Sequence, residues 1–206
     1  MSPEPLSAVL SEAPSGPRPA NPVRPVRERL LDAADRLFYA EGIRAVGIDR
    51  ILAEAGAAKA SLYAHFASKD ELVAAYLANR AESSRGVITR ALDALGPDPR
   101  ARLFALFDFS TGSCSNPDFR GCAFQIASAE LPDSNHPGSL VVREHRAWMR
   151  GVIEALVRQI APGAPAELAH AITALYDGAA SQVPVGTGRE AMSGARWAAE
   201  QLLPAR

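Results

Sequence analysis

The chain has little cysteine, little lysine and few aromatic residues, and it has no long apolar run. Its 206 residues include 2 cysteines. Cys114 and Cys122 are too few for a disulfide scaffold, and with 4 scattered histidines they make no recognisable zinc spacing. No metal and no cofactor is therefore expected. No apolar stretch approaches the ~18 residues of a membrane-spanning helix. The N-terminus lacks the basic start and apolar core of a secretory signal. The expected compartment is the cytoplasm, with no membrane partner. A formal net charge of −1 excludes a uniformly basic nucleic-acid coat, so any nucleic-acid contact must come from a local segment. Lysine occurs only at 59 and 69, beside 20 arginines. The abundance of Ala, Arg, Pro and Gly suits a GC-rich genome, which weakens arguments from arginine number alone. No segment shows the period-2 alternation of a strand.

Helical patterns are present throughout. Residues 1–25 hold 7 of the 16 prolines and read as a disordered arm ending in Arg18, Arg24, Arg27 and Arg29. Such an arm is either a solvated tail or a basic extension able to reach phosphate or minor groove. From Pro25 the apolar positions Val26, Leu30, Ala33, Ala34, Leu37 and Phe38 recur at helical spacing until Gly42. Ile48, Ile51, Leu52 and Ala55 form a second short pattern, ended by Gly56. Leu62, Tyr63 and Phe66 form a third. Ser68 with Glu71 three residues on is a capping box that opens a long helix over roughly 69–95. Asp98-Pro99 begins another helix that fades at 113–117. Helices are also expected over 121–131, 140–160, 167–183 and 189–203, with a loop at 132–138. The expectation is an all-α chain of about nine helices, divided into the arm (1–25), a three-helix head (26–68) and a helical domain (69–206).

Two short helices joined by the tight turn Gly56-Ala57-Ala58 make a helix-turn-helix, whose second helix suits the DNA major groove. The segment 56–69 carries Lys59, His65 and Lys69 and no acid, so both lysines of the chain lie here. Lys59, Ser61, Tyr63, His65 and Lys69 supply the cations and hydroxyls that phosphate contacts need. Leu62 and Phe66 are left to dock on the core.

The run from Arg27 to Leu77 resembles the DNA-binding head of the TetR family of regulators. The resemblance rests on Leu62-Tyr63-x-His65-Phe66 followed by Ser68-Lys69-x-x-Leu72, with Gly42, Ile51, Ala55 and Gly56 in register. It implies DNA contacts from Arg44, Lys59, Ala60, Ser61, Tyr63 and His65, and a phosphate contact from Lys69 at a helix start. The family usually carries Thr or Ser at positions 46 and 47, where a hydroxyl caps the second helix. This chain has Val46 and Gly47, which leaves one phosphate contact in doubt. The resemblance further implies a double-stranded palindromic operator and release by a small-molecule inducer. It also implies a homodimer through the last two helices.

The candidate inducer contacts are Phe104, Phe107, Phe124, Trp148, Met149 and Tyr176, with Gln125, Glu130 and His145 as polar handles. Taken singly, each aromatic reads first as plain core packing. Cys122 lies in an apolar run, which favours a buried, inert thiol. Two other readings exist. One is a small helical enzyme using Cys122, His145 and Glu130. The other is a helical adaptor that has lost DNA binding.

Overall fold

The computed structural model describes residues 24–205. The arm expected over 1–25 lies almost wholly outside them. Among the described residues the secondary structure is nine α-helices and one short 3-10 turn, with no strand. The helices are α1 (Val26–Glu41), α2 (Ile48–Ala55), α3 (Lys59–His65), α4 (Lys69–Ala94), α5 (Pro99–Ser113), α6 (Ala123–Glu130), α7 (Pro137–Ile160), α8 (Ala166–Ala180) and α9 (Gly188–Leu202). None is long and apolar enough to cross a membrane.

Local chemistry sets most of the boundaries. α1 buries the stripe Leu30, Ala33, Ala34, Leu37 and Phe38 and stops at Gly42, whose φ of +98° and ψ of 151° suit glycine alone. α2 stops at Gly56 in the left-handed conformation. There the Gly56 N–H donates to the Ala53 carbonyl and the Ala57 N–H to the Leu52 carbonyl. The capping box forms at α4: the Glu71 N–H donates to Ser68 Oγ at 3.1 Å, and the Glu71 carboxylate accepts the Ala67 N–H at 2.8 Å. Asp98 accepts the Arg100 N–H at 2.9 Å and caps α5 ahead of Pro99.

Two boundaries differ from the sequence reading by 3 residues, more than any other. α7 begins at Pro137, inside the expected loop, because proline suits a first helical position. α8 ends at Ala180 rather than 183, and the 3-10 turn Val183–Val185 follows it.

The chain divides into two compact units, and the divisions fall at 83/84 inside α4 and 145/146 inside α7. One unit contains residues 24–83 and 123–145. It holds α1–α3, the first part of α4, α6 and the first part of α7. Its frame includes a bidentate ion pair between α1 and α4: Arg80 Nε meets Asp35 Oδ1 at 2.5 Å, and Nη2 meets Oδ2 at 3.0 Å. The Arg80 guanidinium also lies over the Tyr39 ring at 4.0 Å. Its mostly buried charge is compensated by Asp35, whose hydrogen bonds and charge raise the Arg80 pKa against desolvation.

The other unit contains residues 84–122 and 146–205. Leu103, Phe107, Ile153, Ile172 and Met192 form its centre. α9 packs on α8 and on α5. Each such side chain removed from water contributes about 1.5–3 kcal/mol before entropy is counted. Tyr176 of α8 meets the Phe107 ring edge-on and shares a 2.8 Å hydrogen bond with Ser110. Burial pushes its phenol up from 10.0 to about 12.

The raised value means that the fold favours the neutral phenol. This contribution is complete below about pH 10 and is lost as pH rises through about 12. Tyr176→Phe, which cannot ionise, is expected to keep more helical circular-dichroism signal than the parent across that window. Superimposable alkaline profiles would refute the assignment.

Candidate nucleic-acid interface

Helix α3 is only 7 residues long, too short to persist alone in water. Its position depends on what it buries. Leu62 is 0% and Phe66 3% exposed, and these two anchor it to the head. The opposite face presents Lys59, Ala60, Tyr63, Ala64 and His65 to solvent, and Tyr63 is 48% exposed. A large aromatic left in water beside a lysine, with no acid from 56 to 69, fits an anionic partner. Ser61 is half-buried at the rim of that face. Neither Lys59 nor the Arg44 side chain makes an ion pair among the described residues, and both are exposed.

Several other cations of the head are committed elsewhere. Arg36 pairs with Glu54 at 2.9 Å, Arg50 with Glu41 at 3.3 Å, and Arg24 with both Glu28 and Asp32. Arg27 lies over the Phe66 ring at 5.4 Å. Arg29 donates to the Ala55 and Gly56 carbonyls at 2.9 and 3.1 Å. The described arginines at the end of the proposed arm thus face the head itself. Arg29 was not legible as a structural residue, because its partners are carbonyls 26 and 27 positions away.

Two expected contacts have protein partners. The Lys69 ammonium donates to the Ile43 carbonyl at 2.7 Å, and desolvation lowers its pKa against the opposing charges of Asp70 and Glu130. Glu130, expected among the inducer contacts, accepts the Arg44 N–H at 2.8 Å. Val46 is buried at 1% exposure, and Gly47 provides no side-chain cap to α2.

The other candidate inducer contacts fall in both units. In the first, the Phe124 and His145 rings stack at 3.7 Å, and Gln125 is half-buried. In the second, Phe104, Phe107 and Tyr176 pack in the core cluster with Trp148 and Met149. Phe104 also lines a groove of about 560 Å³ with Asp108 and Arg196. Cys122 is half-buried, rather than buried as its apolar surroundings suggested.

A recognition helix with a bare cationic and aromatic face, packed on a two-helix support, defines a helix-turn-helix DNA-binding regulator. Residues 30–76 match the bacterial regulatory proteins of the tetR family. The chain is 30% identical over 135 residues to the HTH-type transcriptional regulator LmrA of Bacillus subtilis, covering 65% of this chain and 71% of that protein. It is 37% identical over 86 residues to the HTH-type transcriptional activator FasR of Mycolicibacterium smegmatis, covering 40% of this chain and 39% of that protein. A TetR-family transcriptional regulator from Streptomyces coelicolor superposes with a TM-score of 0.80 at 36% identity, covering 86% of this chain and 93% of the other. The reduced form of Escherichia coli NemR shares the fold, with a TM-score of 0.76 at 21% identity, over 88% of this chain and 98% of that one. The chain belongs to the TetR family of transcriptional regulators, DNA-binding proteins that act as dimers. These relatives are regulators, so the enzyme reading built on Cys122, His145 and Glu130 falls away.

Arg29 closes the C-terminal end of α2, where a cation meets both unpaired carbonyls and the helix dipole. Arg29→Ala is expected to lower unfolding stability by about 1–2 kcal/mol and to weaken DNA binding, because the turn ahead of α3 loses its brace. Urea denaturation with an unchanged midpoint would show that the turn holds without it.

Proposed function

We propose that the protein is a repressor that a small-molecule inducer releases from a palindromic operator. Its recognition face comprises Lys59, Ala60, Ser61, Tyr63 and His65, with Arg44 and Lys69 as flanking cations. The observation that carries this reading is the exposed face of α3, where Lys59 and Tyr63 stand one turn apart with no acid on the helix. Lys59 and Lys69 serve phosphates, and Tyr63 and His65 serve base edges or sugar.

The dimer forms through α8 and α9. On α8 the exposed positions Ala171, Ala174 and Gly178 follow helical spacing. On α9 Ser193, Gly194 and Trp197 do the same. Space stands open beyond Gly178 and Gly194 within the chain. Trp197 is 65% exposed, a costly placement for a large apolar ring unless a second copy covers it. Small residues permit close helix approach, and two such pairs make a four-helix bundle. A twofold dimer presents two copies of α3 to half-sites about 34 Å apart.

The inducer meets Phe104, Phe107, Trp148, Met149 and Tyr176, which pack together in the second unit. Buried aromatics interspersed with polar groups support that reading. Inducer binding acts by favouring a dimer conformation whose heads no longer match successive grooves.

Tyr63→Ala and Lys59→Ala are expected to weaken binding to a duplex that the protein selects from a random-sequence pool. Lys59→Ala should also reduce the salt dependence by about one phosphate contact. Fluorescence anisotropy across a salt series measures both, and parent-like affinity in both variants would remove α3 from the contact map. Trp197→Glu should shift the protein from dimer to monomer in analytical ultracentrifugation and abolish cooperative occupation of the palindrome. A persistent dimer would move the interface elsewhere.

A further inference from the structure

The corner between α1 and α2 is anchored by the buried side chains of Ile43 and Val46, but no side chain of its own caps its backbone. Gly42 opens it at φ +98°, and Gly47 closes it without a side-chain cap. Glycines at both ends leave the backbone between them wide conformational freedom. Yet this corner sets where α2 begins, and α2 carries the turn that delivers α3.

Two side chains from elsewhere grip the corner. Lys69 donates to the Ile43 carbonyl at 2.7 Å. Glu130, the last residue of α6 and 86 positions away, accepts the Arg44 N–H through Oε2 at 2.8 Å. A charge-assisted bond of that length is among the stronger kinds. The carboxylate also fills the space beside Gly42, where a Cβ would lie 3.1 and 3.2 Å from its two oxygens. Gly42 is thus needed twice, for its backbone angles and for the room it leaves Glu130.

The connection that follows Glu130 is itself held. His136, just beyond α6, accepts the Gly138 N–H at Nδ1 (3.0 Å), so its Nε2 carries the proton offered to Asp70 at 3.3 Å. Gly138 lies where any Cβ would crowd Leu131 and Val73 at 3.0–3.1 Å. The α6–α7 connection is therefore packed against the start of α4, directly after the recognition helix.

We propose that Glu130 is a positioning residue for DNA recognition: from the end of α6 its carboxylate fixes the Gly42–Arg44 corner, and through α2 it sets the recognition helix. It holds the corner from outside α2, whose first turn has no side-chain cap.

The test uses the full chain with Glu130→Gln, which keeps an oxygen acceptor, and Glu130→Ala, which does not. Anisotropy is measured at one salt concentration on the duplex selected from a random pool and on a scrambled duplex. The Ala variant should lose about tenfold on the selected duplex and stay within about twofold on the scrambled one, while Gln stays within about threefold on both. Hydrogen exchange at the Arg44 amide should accelerate in Ala and remain protected in Gln. Should Ala fail to fold, Glu130→Asp, one methylene too short to reach Arg44, takes its place with the same expectation. The proposal is overturned by parent-like affinity in the Ala or Asp variant, by equal losses on both duplexes, or by a Gln variant as weak as Ala.

Discussion

A recognition helix of 7 residues makes too few internal hydrogen bonds to offset the cost of its own nucleation. It exists because the rest of the head holds it at both ends and along one face. Leu62 and Phe66 hold the face. Before it, Gly56 turns the chain and Arg29 satisfies the carbonyls that the end of α2 exposes. After it, Ser68 and Glu71 tie the exit into α4. Every one of these contacts serves to leave Lys59, Tyr63 and His65 unburdened on the far side. Binding DNA then costs little further ordering of the backbone that carries the contacts.

Much of the head was legible because its determinants are local. Apolar residues at helical spacing located the helices. The glycines at 42 and 56 ended two of them, and the Ser68–Glu71 box opened the long one as expected. The division of the described chain into all-helical elements followed from the same patterns. The ties across the head were not legible. Asp35 meets Arg80 45 positions away and Glu130 meets Arg44 86 away, distances at which periodicity carries no information. Lys69 shows the difficulty clearly. Its place at a helix start after the recognition helix pointed to phosphate, and nothing local announced that the Ile43 carbonyl would share its ammonium. The start of α7 was missed for a simpler reason: Pro137 and Gly138 read as breakers, yet at a first turn proline is favoured, and this glycine is demanded by packing against Leu131 and Val73.

Charge is distributed by subtraction. With a net charge of −1 and 20 arginines, the chain cannot present a positive surface merely by carrying basic residues. Arg24, Arg36, Arg50 and Arg80 are each opposed by a carboxylate, and Arg29 by carbonyls. Those pairs neutralise most of the head and leave the segment 56–69 as its acid-free stretch. Exposed pairs such as Arg50–Glu41 add little stability. Their larger effect is on charge: they offset arginines elsewhere in the head, while the segment 56–69 carries Lys59, His65 and Lys69 with no acid.

The same logic bears on the missing hydroxyls at 46 and 47. A serine or threonine at the start of α2 caps the helix within one turn and needs nothing from elsewhere. With Val46 buried and Gly47 bare, no side chain caps α2, and the corner ahead of it is held by Lys69 and Glu130, which belong to α4 and α6. A local cap would make the corner indifferent to α6. A remote one makes its geometry depend on how α6 ends and on how the α6–α7 connection is pinned at Asp70 through His136. Without a hydroxyl at 46 or 47, the corner that precedes α2 rests on a shared support, the Glu130 carboxylate at the end of α6.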